Sequence, residues 1–235
     1  RRRVTVVVTA SGRPPMMITK GAFLHVLAAC TRGQDGRLLD EPAKAALAGT
    51  YESWSRDGIR VLAVATREVG LQAAYSRADE RDMTFRGFVT FLDRPKEGVA
   101  AALATLAALG VSFKLVTGDN RLVARHVATL VGLRCERVVT GQELNALHGG
   151  ALWHALEEAD VFAEVDPGQK ERIVLELKRG GHVVGFLGDG VNDAPAMHAA
   201  DTSLSVEEAG DVARGAADFV LLERRLDVIR RGVEE

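Results

Sequence analysis

The sequence is poor in the features that mark several large classes of protein. It contains two cysteines, Cys30 and Cys135, at a separation that fits neither a zinc nor a redox motif, so we expect free, buried thiols. Lysine and arginine number 30 against 32 acidic residues, which leaves no surplus of positive charge for nucleic acid. The longest nearly apolar run, Val99 to Val111, is shorter than the roughly 20 residues that a membrane-spanning helix needs.

Residues 1–80 have the pattern of a small α+β domain. Apolar residues predict a helix that continues through Cys30, and a second helix is expected from Pro42 to about Arg56, because proline suits the first turn of a helix. We expect this domain to end in the polar stretch before residue 84. Runs of β-branched and apolar residues predict its strands at 4–9, 16–19 and 59–66.

From residue 84 to residue 235 the pattern changes to an alternation of strands and helices. This part is expected to begin with a strand at 88–92, followed by helices at 96–109 and 121–131 with a strand between them. Such alternation predicts parallel strands joined by right-handed crossovers. The fold class is therefore α/β: a parallel-sheet, Rossmann-like core plus a smaller α+β, antiparallel domain.

A glycine-rich acidic loop follows the apolar run that ends at Leu187. It places Asp189, Asn192 and Asp193 at a strand end, and oxygen ligands of this kind suit Mg²⁺ together with a phosphate. A solvated turn is the alternative interpretation of Gly-Asp-Gly alone. It accounts less well for Asn192 and Asp193.

A second loop of the same kind follows the strand that ends at Val116. Thr117, Gly118 and Asp119 offer a hydroxyl and backbone N–H groups before a helix, where a phosphate is favoured. Capping of that helix by Asp119 or Asn120 is an alternative that is compatible with phosphate binding. Lys170 stands near a helix start, and by itself such a lysine is usually a solvated surface residue.

Hydroxyl, lysine and acidic loop, in that order, resemble three of the four motifs of the haloacid-dehalogenase superfamily. The first motif is an apolar strand that ends in a nucleophilic aspartate, which forms an aspartyl-phosphate. Neither Asp-Lys-Thr-Gly-Thr nor Asp-x-Asp-x-Thr occurs in this chain. Asp93 ends an apolar strand, but the residues after it do not fit. The resemblance therefore implies that the first strand of the core lies outside this sequence.

Within that superfamily the sequence is most similar to P-type ATPases, and among these to bacterial magnesium-importing ATPases. Thr117-Gly118-Asp119-Asn120 and the acidic loop match two signatures of the family, and Lys20-Gly21-Ala22 resembles its nucleotide-binding domain. The resemblance implies that Lys20, Gly21 and Arg60 bind ATP and that Arg2 approaches phosphate. It assigns Thr117, Gly118, Asp119 and Lys170 to phosphoryl transfer, and Asp189, Asn192 and Asp193 to Mg²⁺.

The resemblance implies a cytoplasmic region of a pump that lies in the cell membrane, with ATP, an actuator domain and transmembrane helices as its partners. Residues 1–80 would form part of the nucleotide-binding domain, and residues 84–235 the phosphorylation domain. This chain alone would be inactive, and exposed strand edges would allow it to dimerise. Two alternatives stay open: a free-standing phosphatase of the same superfamily, and a silent nucleotide-binding module.

Overall fold

A computed structural model describes residues 3–223 and 225–234, in two compact units that divide after Asp93. The first unit is built on one five-stranded sheet in the order β1-β2-β4-β5-β3. All pairs in it are antiparallel except β3 with β5. Its elements are β1 Arg3–Val8, β2 Met16–Ala22, α1 Phe23–Leu27, β3 Cys30–Arg32, α2 Glu41–Arg56, β4 Ile59–Glu68 and β5 Met83–Leu92.

Strand alternation separates a buried face of this sheet from an exposed one. Met17, Ala63 and Phe85 point to the buried side, where they form a core with Phe23 of α1. The predicted helix α2 is confirmed, and the side chain of Asp40 caps it by accepting from the Ala43 N–H.

Two predictions for this unit are wrong. The helix expected through Cys30 ends at Leu27, and Cys30 begins β3, because the Met83 N–H pairs with the Ala29 carbonyl. The strand expected at 88–92 as the first of the parallel part is the end of β5, which pairs antiparallel with β4. The units therefore divide after this strand rather than before it.

The second unit, Arg94–Glu235, alternates strands and helices as predicted, and the predicted α/β class is confirmed. Its described strands form two three-stranded parallel sheets, β6-β8-β7 and β11-β10-β9. The strands are β6 Leu115–Val116, β7 Val138–Thr140, β8 Val161–Ala163, β9 Gly185–Leu187, β10 Thr202–Val206 and β11 Phe219–Leu221. The helices are α3 Val99–Ala108, α4 Arg121–Val131, α5 Gly141–Ala146, α6 Gly149–Glu158, α7 Pro167–Arg179, α8 Ala194–Ala199, α9 Asp211–Ala216 and α10 Asp227–Glu234.

Helices cover these short strands with apolar side chains. Phe162 in β8 is fully buried and packs with Leu156 of α6 and Ile173 of α7. Burial of a phenylalanine and its aliphatic neighbours contributes about 1.5–3 kcal/mol each. This core fixes where β8 ends and α7 begins, which is where Lys170 lies.

Candidate functional site

The loop after β6 is closed by its own side chains. The Thr117 hydroxyl donates to the Asp119 carboxylate over 3.1 Å, and the Asp119 N–H donates back to the Thr117 hydroxyl over the same distance. Gly118 is exposed between them, with the nearest atom to an added Cβ, the Val165 carbonyl oxygen, 3.5 Å away. Gly118 thus presents an open backbone at a strand end, and the Thr117 hydroxyl beside it is bonded within the loop.

The backbone N–H groups in the first turn of α4 already have hydrogen-bond acceptors within the protein. The Asn120 side chain accepts from the N–H groups of Leu122 and Val123, so Asn120 is the cap among the two residues that the sequence offered for that role. The Arg121 N–H donates to the Glu164 carboxylate over 3.3 Å. Since these three N–H groups are already bonded, a phosphate at this loop would depend on Gly118 and Thr117 rather than on the first turn of the helix.

Backbone hydrogen bonds connect this loop to the segment that leads into α7. The Thr117 N–H donates to the Phe162 carbonyl over 2.9 Å, and the Val165 N–H donates to the Thr117 carbonyl over 3.2 Å. Asp166 then caps α7 by accepting from the Gln169 N–H, and Gln169 returns a bond by accepting from the Asp166 N–H. The loop and the start of α7 are therefore held together by the end of β8.

Lys170 follows Gln169 in the first turn of α7 and points at the acidic loop. Its ammonium donates to the Asp193 carboxylate over 2.7 Å, and the two side chains are only 13% and 11% exposed. A lysine this enclosed is not the solvated surface residue that its position alone suggests. The structure brings Lys170 and Asp193 together as a nearly buried ion pair.

The second oxygen of Asp193 orders the acidic loop itself. It accepts from the N–H groups of Asp189 and Gly190 over 3.3 and 3.2 Å. Gly188 makes this close approach feasible, because a Cβ there would lie 2.7 Å from the Asp193 Cβ. Asp193 therefore braces the acidic loop, because its side chain holds the backbone N–H groups of two other loop residues.

Neighbouring elements hold the same loop from outside. The buried Ser205 hydroxyl in β10 donates to the Gly188 carbonyl over 2.8 Å, and the Gly210 N–H donates to the Asp189 carbonyl over 3.2 Å. The side chains of Asp189 and Asn192 remain exposed. A rigid backbone thus presents one carboxylate and one carboxamide to solvent.

This donor set fits Mg²⁺ only in part. The described residues contain no group of three or more histidine, cysteine, aspartate or glutamate side chains arranged to hold a metal ion. Mg²⁺ usually takes one or two carboxylates and fills its other positions with water and phosphate oxygens. Asp189 can serve as such a carboxylate, with Asn192 beside it, whereas both oxygens of Asp193 are engaged by Lys170 and the loop.

Three of the residues predicted to bind nucleotide lie in strands of the first unit, namely Lys20, Gly21 and Arg60. Lys20 in β2 and Arg60 in β4 are exposed on its open face, because Lys20 pairs with Val64 and residues 60, 62 and 64 alternate to that side. Gly21 follows Lys20 in β2 but is buried on the opposite face, so the two residues do not share the open face of the sheet. Arg2 lies outside the described residues.

Three further contacts support these sites, and sequence analysis assigned no role to any of them. Asp93 accepts from the Arg60 guanidinium over 2.5 Å, which holds Arg60 in place within the first unit. Glu164 and Gln169 hold the turn before Lys170. The bonds of Asp93 and Glu164 join residues 33 and 43 positions apart, so motif spacing alone could not find them, whereas Gln169 stands three residues after Asp166, a spacing typical of a helix start.

Comparison with known proteins places these features in a family. The family described as haloacid dehalogenase-like hydrolase matches residues 19–201, which is most of the chain. The chain belongs to this family. A hydroxyl after β6, a lysine after β8 and an acidic loop after β9 are the motifs by which the sequence resembles haloacid dehalogenase-like proteins, and all three lie within the matched residues.

Curated relatives of this haloacid dehalogenase-like chain are P-type ATPases. It is 43% identical to "Magnesium-transporting ATPase, P-type 1" of Escherichia coli (strain K12), over 100% of this chain and 27% of that protein. It is 34% identical to "Calcium-transporting ATPase type 2C member 1" of Homo sapiens, over 97% of this chain and 24% of that protein. The chain thus spans about a quarter of the length of these relatives. Among the residues the structure describes, no helix is long and apolar enough to cross a membrane.

Proposed function

We propose that this chain is the ATP-binding and phosphoryl-transfer region of a P-type cation-transporting ATPase, with Mg²⁺ as the transported ion. The observation that carries the proposal is the enclosed ion pair of Lys170 and Asp193, which places a lysine beside a braced acidic loop at a strand end. Similarity to magnesium-transporting ATPases along the whole chain supports it. The aspartate that accepts the phosphoryl group would lie outside this chain.

Each group has a role that its position supports. The Thr117 hydroxyl and the Gly118 N–H would bind phosphoryl oxygens, and Lys170 would balance the charge that develops on them. Asp193 positions Lys170, and Asp119 accepts the Thr117 hydroxyl hydrogen until a phosphoryl oxygen takes its place as the acceptor. A Mg²⁺ ion held by Asp189, with Asn192 beside it, would neutralise charge on the transferred phosphate.

The two units would have separate roles, nucleotide binding and phosphoryl transfer. The unit that ends at Asp93 would bind the nucleotide, with Lys20 and Arg60 on the open face of its sheet. Arg94–Glu235 would be the phosphorylation domain. The actuator domain and the transmembrane helices would be supplied by a longer protein in the cell membrane, with this region on the cytoplasmic side.

The sheets of the second unit offer a place for the acceptor strand. Among the described residues, β6 and β9 each stand at the edge of a three-stranded parallel sheet. We infer that the strand with the acceptor aspartate pairs with these edges, which would bring Thr117 and Asp189 to either side of it. A chain without that strand would expose both edges, and pairing between copies is then expected.

An ATP titration followed by NMR tests the nucleotide assignment. We expect ATP to shift resonances of the open face, including those of Leu62 and Val64, and Lys20→Met to weaken binding at least about fivefold, equivalent to about 1 kcal/mol. Lys44→Met is the matched control, because Lys44 lies on α2 and pairs with Glu41. Equal weakening by both substitutions would contradict the assignment.

A phosphomonoester assay separates the transporter from a free-standing phosphatase. We expect this chain to hydrolyse no generic phosphomonoester in Mg²⁺, because it lacks an aspartate nucleophile in the required motif. In the longer protein, ATP with a labelled γ-phosphate should label the protein, and Asp189→Asn or Lys170→Met should abolish the labelling. Turnover by this chain that Asp189→Ala removes would favour the phosphatase instead.

A further inference from the structure

Glu164 has an unusual backbone conformation for its residue type. It directly follows β8 and has a φ of 56°, in the left-handed region that non-glycine residues rarely adopt. Among the described residues, Asp82 is the other non-glycine residue with positive φ. A strained residue of this kind persists only where its surroundings hold it, and such residues cluster at functional sites.

The conformation lets one residue bond to both the end of the Thr117–Asp119 loop and the start of α4. The Glu164 N–H donates to the Asp119 carbonyl over 2.8 Å, and its carboxylate accepts from the Arg121 N–H over 3.3 Å. These two partners flank Asn120, the cap of α4. Glu164 therefore fixes the path of the chain where the loop turns into the helix.

The other side of the turn is fixed by close packing. A Cβ at position 141 would lie 2.6 Å from the Glu164 carbonyl oxygen and 2.4 Å from Oε1 of Gln169, so only glycine leaves room there. Gln169 also donates from its amide to the Gly141 carbonyl over 2.8 Å. The turn is thus clamped between the loop and the start of α5.

We propose that Glu164 is a positioning residue that holds the Thr117–Asp119 loop in the form that binds phosphoryl oxygens. Its carboxylate engages the first N–H of α4 and keeps the loop in register, while the exposed Gly118 N–H has no acceptor among the described residues. This inference rests on the proposed role of the loop in phosphoryl binding. The same turn leads through Asp166 to Lys170, so Glu164 also relates the loop to the lysine.

Amide hydrogen exchange tests the bond between the Glu164 carboxylate and the Arg121 N–H without any ligand. In Glu164→Gly the left-handed turn is free of strain but the carboxylate is gone, so the Arg121 amide should exchange about tenfold faster or more. Glu164→Gln keeps an acceptor oxygen and should stay within about threefold of the wild type. Asp82→Gly is the matched control, because it relieves a left-handed residue elsewhere and should leave Arg121 unchanged.

Titration with inorganic phosphate in the presence of Mg²⁺ tests the consequence for binding. We expect phosphate to shift the Gly118 amide resonance of the wild type. Glu164→Gly should weaken phosphate binding at least about fivefold, and Glu164→Gln should retain most of the affinity. Glu164→Asn, which tolerates the left-handed region, replaces Glu164→Gly if that variant loses its native spectrum.

Two results would overturn the proposal. Unchanged Arg121 exchange in Glu164→Gly would show that the carboxylate does not hold the loop. Unchanged phosphate affinity in the same variant would show that the contact of Glu164 with α4 does not contribute to phosphate binding. Phosphate that moves no resonance of the wild type would instead refute the proposed function of the loop, and the exchange data would still decide whether Glu164 clamps it.

Discussion

Replacing Asp193 tests whether charge holds Lys170 in a nearly closed site. Removing one partner of a buried pair costs up to about 3–5 kcal/mol, and this pair keeps a little solvent exposure. Asparagine retains an amide oxygen for the N–H groups of Asp189 and Gly190. We therefore expect Asp193→Asn to lower the free energy of unfolding by about 2–3 kcal/mol, below the full cost of a buried unpaired charge.

The double variant separates the ion pair from the rest of the loop. Lys170→Met leaves the Asp193 carboxylate with its two backbone donors and should cost about 1–2 kcal/mol. Once the ammonium is absent, Asp193→Asn should cost less than it does alone. The coupling free energy between the two positions should therefore be about 1–2 kcal/mol.

Urea unfolding followed by tryptophan fluorescence measures these differences. The chain has two tryptophans, so a Trp54→Phe background leaves Trp153, in the second unit, as the reporter. The more exposed pair of Lys178 and Asp201 is a control, and its coupling should stay below about 1 kcal/mol. Effects of Lys170→Met and Asp193→Asn that add within about 0.5 kcal/mol would refute the reasoning.

Three further predictions follow from packing, pH and thiol burial. Gly180→Ala should lower the free energy of unfolding by about 1–3 kcal/mol in urea titrations, because its Cβ would lie 1.8 Å from the Trp153 ring. Hydrogen bonds from the Ser203 backbone and hydroxyl lower the pKa of Asp218, so this stabilisation is present above the unfolded value of about 3.9 and is lost as the pH falls through the lower, folded pKa. Asp218→Asn should accordingly make urea midpoints less dependent on pH below about pH 5. Burial raises the pKa of Cys30 to about 11, so an alkylating reagent at about pH 8 should modify it far more slowly than an unfolded control.

Helices with local start signals could be predicted from the sequence. α4 begins at Arg121 and ends at Val131, as predicted, because Asn120 caps it and Gly132 takes the left-handed conformation after it. α2 begins within a residue of the position that Pro42 indicated. In such segments the signals lie within a few residues of the feature that they specify.

Strand partners could not be predicted in the same way. The run that ends at Leu92 reads equally well as the first strand of a parallel sheet or the last of an antiparallel one. Its pairing with β4 depends on Phe85 and Phe88, which pack in the core of the first unit. Choice of partner is therefore a tertiary effect that a single segment does not reveal.

The candidate site was predictable as a set of motifs but not as a set of contacts. The sequence singled out Lys170 and Asp193, and the structure joins them across 23 positions of chain. It gave no sign of the left-handed turn at Glu164, since glutamate has no preference for that conformation. Nor could it show that Gly141 faces Gln169, because that contact spans 28 positions.

A crystal structure of the chain grown with Mg²⁺ and a phosphate analogue such as tungstate tests the central claim most directly. The account predicts one bound anion that touches the Thr117 hydroxyl, the Gly118 N–H and the Lys170 ammonium, with the Asp189 carboxylate facing the same space. A structure in which Thr117, Lys170 and Asp189 open onto separate surfaces would contradict it.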